Sequence, residues 1–274
     1  MAPAWGAGVR VLDPSQFTPA GDEVPFVVSP SNVTRAMLDI AGVTARDTLI
    51  DLGSGDGRIV IAAAQRGATA LGVEIDPALV AKSEAAARAA GVSARTRFVK
   101  QDLFDTDLAG ASVITMYLLQ EVNLQLRPRL LALAPGTRIV SHDWHMGDWA
   151  PDRRVVVEVP DKPVGREKSS QVMLWVVPAR VAGVWCGSSG DRRATLRLDQ
   201  SFQRLSGELS VDGAAVRAIV GSAHGEVVTL SAAEHGTFTL RAAAGTLQAA
   251  GADGAFAPLA RFSWRAGPAG CAAP

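Results

Sequence analysis

Residues 48–58 read TLIDLGSGDGR, and the fold follows from how this stretch is understood. Thr48 to Leu52 is a short apolar run with one acid, Asp51, near its end. Three glycines follow at alternate positions, Gly53, Gly55 and Gly57. A strand that feeds a glycine turn and then a helix brings backbone close to a ligand, because no side chain stands in the way. The spacing is GxGxG, with Arg58 where the dinucleotide fingerprint has its third glycine. That glycine permits close helix–strand packing behind a pyrophosphate. Its displacement, and the carboxylate of Asp51, argue against a phosphate and for a ligand carrying cationic groups.

The surroundings extend the pattern. Ser31 to Ala41 has helical spacing, with Ser31 as the expected N-cap. After the glycine turn, Asp56–Arg66 reads as a helix, Ala70–Glu74 as a strand and Pro77–Ala90 as a helix with proline at its start and Gly91 at its end. Arg97–Lys100, Ser112–Met116 and Arg138–Ser141 read as further strands, with a helix over Gln120–Leu133 despite Pro128. Apolar strands alternating with helices imply an α/β fold, a parallel sheet covered on both faces. Val155–Val159 and Gln171–Val177 have no helix between them and are expected to pair antiparallel at one edge.

The texture changes near Pro178 to Gly183. Beyond it lie short alternating runs: Ala194–Leu198, Gln203–Ser210, Ala214–Val220, Val227–Leu230, Thr237–Arg241 and Ala260–Trp264. Turn signals separate them, so residues 179–274 are expected to form a small antiparallel β-sandwich or β-barrel, with Trp185, Phe202 and Trp264 in its core. Residues 1–27, rich in proline, are expected to form an extended arm, and residues 28–178 the first domain.

Lys+Arg and Asp+Glu are each 27, giving a net charge of zero, and neither half has the basic excess of a nucleic-acid binder. No apolar run is long enough to span a membrane, no signal peptide is evident, and a cytoplasmic location is expected. Cys186 and Cys271 show no metal spacing; two unpaired thiols are the expected state in a reducing compartment, with a single disulfide between them as the alternative.

Asp51, Gly53, Gly55, Asp56 and Gly57 match motif I of the class I S-adenosylmethionine-dependent methyltransferases, which the chain resembles from about residue 28 to 178. The resemblance implies a Rossmann-like seven-stranded sheet, S-adenosyl-L-methionine as cofactor, and the glycine turn beneath the cofactor's amino-acid portion. Glu74, in GVEID, then meets the ribose hydroxyls; without the resemblance it is a surface charge at a strand end. Asp102, in VKQDLF, meets the adenine amino group, and it also suits an N-cap for residues 103–108. Ser54, Ile75 and Leu103 complete the expected cofactor set.

Within that superfamily the chain is similar to protein-lysine methyltransferases of mitochondrial membrane proteins and their bacterial relatives. The resemblance rests on VPFVVSP (Val24 to Pro30) ahead of DLGSGDGR and its apolar helix. It departs at Asp76, where the eukaryotic enzymes have Asn, lacks their membrane-targeting segment and adds the β region. It implies in-line methyl transfer to a protein lysine; a small-molecule N- or O-methyltransferase, or a cofactor-binding protein without turnover, are the alternatives. Tyr117 follows the fourth strand where amide- and base-modifying enzymes carry Asn-Pro-Pro-Tyr, which is absent. Tyr117 is expected to line an acceptor channel or to pack a loop. The stretch HDWHMGDW, His142 to Trp149, is expected at the pocket mouth, with His142 or Asp143 orienting an amine or taking its proton. No metal is expected there.

Overall fold

The computed structural model describes residues 28–162, 167–214, 217–232, 236–267 and 271. The expected arm, with Val24 to Val27, lies outside these residues. Helix α1 (Ser31–Ile40) leads into strand β1 (Thr48–Leu52), helix α2 (Arg58–Gln65), β2 (Thr69–Glu74), α3 (Pro77–Ala89), β3 (Thr96–Lys100), β4 (Val113–Met116), α4 (Gln120–Leu131) and β5 (Arg138–His142). Strands β6 (Arg153–Glu158) and β7 (Ser169–Val176) complete a seven-stranded sheet of order β3-β2-β1-β4-β5-β7-β6. β1 to β5 run parallel, and β7 pairs antiparallel with both β5 and β6, as the missing crossover helix requires.

Local chemistry sets the boundaries. Asp76 caps α3 by accepting from the Ala78 amide at 2.8 Å, and Pro77 occupies the first turn. Helix α2 begins at Arg58, two residues later than expected, because Gly57 is left-handed (φ 78°) and prolongs the turn. Ser31 is the first helical residue of α1 and not its cap; the extended Pro30 (φ −55°, ψ 155°) takes that position. Pro128 falls on the exposed face of α4, where water can meet the carbonyl it leaves without an amide partner.

The sheet buries two apolar layers. α1 and α2 close one with Val33, Met37, Leu49 and Val60. α4 closes the other, with Leu126 and Leu130 against Ile114, Met116, Trp149 and Trp175. The order steps from β2 through β1 to β4, and the carboxyl ends of these strands flank the crevice where open parallel sheets bind ligands. Among the described residues, no helix is long and apolar enough to cross a membrane.

After Val176 the chain forms a closed antiparallel barrel of eight strands: β8 (Gly183–Ser189), β9 (Arg192–Ser201), β10 (Arg204–Val211), β11 (Arg217–His224), β12 (Val227–Ala232), β13 (Gly236–Ala243), β14 (Thr246–Ala252) and β15 (Ser263–Gly267). β8 and β14 were not among the expected runs: GVWCGSS and TLQAAGA are too rich in small residues to alternate clearly. Closure leaves no free edge. Trp185 and Trp264 lie in the barrel core as expected.

Two expectations fail. Phe202 is not in the barrel core. It sits at the β9–β10 turn with φ 54° and stacks on Trp149 of the sheet, ring centroids 6.0 Å apart. Cys186 and Cys271 are a disulfide, not free thiols. β15 pairs with β8 in the register Arg265↔Cys186, so barrel closure returns the chain's end to Cys186 across 85 residues. Further attachments of barrel to sheet are Ala179 N–H to Gly225 O at 2.8 Å and Gln203 Nε2 to Ala150 O at 2.8 Å.

Candidate functional site

A cavity of about 920 Å³ opens at the carboxyl ends of β1, β2, β3 and β4. Among the described residues, all that line it fall between Val28 and Trp144, so the barrel contributes nothing to this wall. Asp51 lies at its floor with 2% exposure and accepts from Thr115 Oγ1 at 2.7 Å. Register explains the pair, since Asp51 lies opposite Thr115 on the neighbouring strand. Burial pushes the Asp51 carboxyl up to about 8; the Thr115 hydrogen bond opposes this, and the charges of Glu74 and Asp56 add to it. Such a group is stabilised as a carboxylate when a cation binds beside it.

The glycine turn is held from behind. The amides of Gly53 and Ser54 both donate to Val73 O at 2.9 Å. A Cβ on Gly53, whose φ is 73°, would stand 2.9 Å from Leu118 Cδ2. Gly57 does not line the cavity; its missing Cβ makes room for Phe98 and Ser83, each at 2.8 Å. Its contribution is to packing, while Gly53, Ser54, Gly55 and Asp56 form the wall. The Ser54 hydroxyl is buried without a hydrogen-bond partner among the described residues.

Glu74, at the end of β2, accepts from the amides of Gly55 (2.8 Å), Ile75 (2.8 Å) and Asp76 (3.1 Å). Those bonds fix the carboxylate at the rim of the turn. Asp102 caps a short 3₁₀ turn, Leu103–Asp105, shorter than the expected 103–108, through the Phe104 amide at 2.8 Å, and it also lines the cavity. Ile75 (67% exposed), Phe104 and Trp144 present open apolar surface around the cavity with Leu103. Together these groups suit a ligand with a cationic centre, vicinal hydroxyls and a flat ring.

The remaining expected residues separate into two layers. Tyr117 lines the cavity; His142 and Asp143 stand behind it. The Tyr117 and His142 rings stack with centroids 3.8 Å apart. His142 is 1% exposed and its Nδ1 lies 2.8 Å from Ser29 Oγ. Burial lowers its pKa to about 4; Asp143 opposes the shift and Lys162 reinforces it, so the imidazole is neutral at pH 7. Burial, then the Asp143 charge, also raises the Tyr117 hydroxyl. Asp143 adopts φ 60° and is held by the Gln171 amide and by Lys162 Nζ, each at 2.7 Å. The rest of the His142–Trp149 stretch does not gather at the mouth. Trp144 does, but His145 points to solvent and Trp149 is fully buried under the barrel.

Sequence reasoning missed Thr115, Ser29, Arg58 and Lys162. Only strand register reveals Thr115. Arg58 chelates Asp56 (2.9 and 2.7 Å), which holds that carboxyl below its usual range, and also donates to Ser29 O at 2.8 Å. Lys162 comes from the polar β6–β7 connection, which carries no local signal.

A family described as the ANTKMT methyltransferase domain matches residues 51–153. A protein-lysine N-methyltransferase of Saccharolobus islandicus is 43% identical over 138 residues, covering 49% of this chain and 86% of that protein. A mouse adenine nucleotide translocase lysine N-methyltransferase is 35% identical over 132 residues, 47% of this chain and only 57% of the mouse enzyme. Among solved structures, an RNA methyltransferase from Salinibacter ruber in complex with S-adenosyl-L-homocysteine is 45% identical with a TM-score of 0.50, covering 57% of this chain and 96% of that one. The glycine turn, the acids at three successive strand ends and these matches agree: the chain belongs to the family of class I methyltransferases that includes the Saccharolobus islandicus enzyme, and it uses S-adenosyl-L-methionine.

Proposed function

We propose that the chain methylates the ε-amine of a protein lysine, with residues 28–178 as the catalytic unit and residues 179–274 as an attached β unit. The observation that carries this reading is the charge of the cavity wall. It holds Asp51, Asp56, Glu74, Asp76 and Asp102, and Arg58 is the one basic residue among its described lining residues, already tied to Asp56. With Arg58 paired, that wall offers a polyanionic acceptor no free cation among its described residues. The name of the Salinibacter ruber relative favours a second reading, RNA, and this charge, with the zero net charge of the chain, weighs against it.

The cofactor fits the groups present. Asp51 would face its cationic end, Ser54 and the Gly53–Gly55 backbone its amino-acid portion, Glu74 its ribose, and Asp102 with Ile75 and Leu103 its adenine. When bound, it supplies an electrophilic methyl group on a sulfonium. The protein's own work is alignment and exclusion of water, and alignment of this kind contributes roughly 7–11 kcal/mol. A lysine of pKa about 10.4 must also shed a proton, which at pH 7 costs about 4.6 kcal/mol in water. A dry channel walled by Tyr117, with neutral His142 behind it, lowers that cost because it adds no positive charge and disfavours the ammonium. Asp143, anchored by Lys162 behind His142, does not line the cavity and would act on the incoming amine only through its charge.

The test is to incubate the protein with methyl-labelled cofactor and a cell lysate, then digest separate portions with protease or ribonuclease. Label released by protease and recovered as methyl-lysine supports the proposal. Label released by ribonuclease supports the RNA reading, and label confined to small molecules defeats both.

A further inference from the structure

The cofactor side and the acceptor side of the cavity are joined by one residue that neither role uses. Ser29 precedes α1 and is 4% exposed, yet it lines the cavity. Its carbonyl accepts from Arg58 Nη1 at 2.8 Å, and Arg58 in turn grips Asp56 of the glycine turn. Its hydroxyl meets His142 Nδ1 at 2.8 Å, and His142 stacks on Tyr117. The other polar atom of the His142 ring, Nε2, is buried and makes no hydrogen bond among the described residues; Asp143 Oδ2 is 3.4 Å away but misaligned. Ser29 therefore supplies the well-formed hydrogen bond that sets the rotation of this ring.

We propose that Ser29 is a positioning residue, a clasp through which the glycine turn, by way of Asp56 and Arg58, fixes the His142–Tyr117 stack that walls the acceptor channel. The inference rests on the reading of Tyr117 as that wall. A stacked pair fixed at one ring's edge keeps the facing ring in one orientation. Without the Ser29 bond, the imidazole has no aligned partner at either nitrogen, and Tyr117 gains freedom to tilt. Ground-state contacts of the cofactor at Asp51 and Glu74 do not pass through this chain of contacts, so cofactor affinity is expected to survive its loss while alignment of the acceptor does not.

Tyr117 is the only tyrosine in the chain, so a protein grown with 3-fluorotyrosine gives one fluorine resonance that reports the wall directly. The full-length protein is compared with Ser29→Ala, Ser29→Thr and Arg58→Met, each with S-adenosyl-L-homocysteine added. One narrow line is expected for the wild type and Ser29→Thr, and a broadened or split line for Ser29→Ala and Arg58→Met. In steady-state assays on a lysine peptide, Ser29→Ala is expected to lower kcat by roughly a hundredfold, the scale set by an ångström of misplacement. Calorimetric affinity for S-adenosyl-L-homocysteine should be preserved, and Ser29→Thr should restore turnover. An unchanged line in both severed variants overturns the clasp, whatever the acceptor proves to be. A wild type that labels no lysine, with the line nonetheless broadened in both variants, overturns the lysine reading and leaves the clasp standing. Where Ser29→Ala does not fold, Arg58→Met decides the same question from the other end.

Discussion

The sheet and the barrel bury different things. Among the described residues, every buried polar or charged residue lies at or before Ser170, including Asp51, Ser54, Thr115, Asn123 and His142, and the barrel buries none. Its interior is Trp185, Leu196, Phe238, Trp264 and similar side chains. Buried polar groups carry a desolvation cost; Ser29, Asp51 and Ser54 carry it at the cavity, while others such as Asp47 beside Arg138 are repaid by local pairing. The barrel's interior is what stability alone selects, and the sheet's cavity is what chemistry adds. Two unpartnered atoms point the same way: Ser54 Oγ and His142 Nε2 both lie at or behind the cavity. Thr34 Oγ1, Asn123 Oδ1, Trp149 Nε1 and Trp264 Nε1 are also unpartnered and belong to residues that do not line the cavity. Trp264 Nε1 is an unpartnered buried donor inside the barrel, but it belongs to a large ring whose apolar burial dominates its energetics.

The sharpest test of this contrast is pH. Asp51 has a folded pKa of about 8 against an ordinary value of 3.8, so the folded state binds the extra proton. Stability of the ligand-free protein therefore falls as pH rises from about 4 to 8, by an amount on the order of 5 kcal/mol over the full range. His142 acts oppositely. Its folded pKa of about 4 lies below its ordinary 6.5, so its contribution is present above 6.5 and is lost as pH falls toward 4. Between pH 6.5 and 8, Asp51 sets the slope among the described groups whose titration is shifted. Urea denaturation across that window should show stability declining in the wild type and flat in Asp51→Asn, and Asp51→Asn should also weaken S-adenosyl-L-methionine binding in calorimetry. An equal slope in both proteins would break the contrast at its centre.

The barrel's main device is covalent. Cys186→Ser opens a loop of 85 residues, and loop-closure entropy puts the loss at about 4.5 kcal/mol. Calorimetric melting should show it in the barrel, with cofactor affinity unaffected. Trp149→Ala attacks the junction, where the fully buried indole meets Trp175 and Phe202; a loss of about 3 kcal/mol is expected, with the barrel's transition separating from that of the sheet. The smallest effect belongs to Phe202→Ala. This half-buried ring lies under the Arg127 guanidinium at 5.6 Å, and about 1 kcal/mol is expected in the same denaturation assay. A loss as large as that from Trp149→Ala would mean that the barrel's turn, and not the sheet's tryptophan, forms the core of the junction.

Much of this protein was determined by its sequence alone. Strand-to-helix alternation, the glycine spacing and the acids at Asp51, Glu74 and Asp102 specify the sheet, the cofactor and the end of the sheet where it sits, because each is a local pattern read within about ten residues of chain. The acceptor side was legible only in outline. Tyr117 and His142 were singled out, but their stack, and the place of Asp143 behind it, depend on strands β4, β5 and β7 meeting in one register. Ser29, Thr115 and Lys162 reach the site from separations of 113, 64 and 19 residues to His142, Asp51 and Asp143, and no local pattern encodes such distances. The disulfide was decided in the same way, by a barrel closing on itself. Short-range periodicity follows from backbone geometry and is written in the chain, whereas contacts between distant segments exist only once packing has chosen which strands are neighbours.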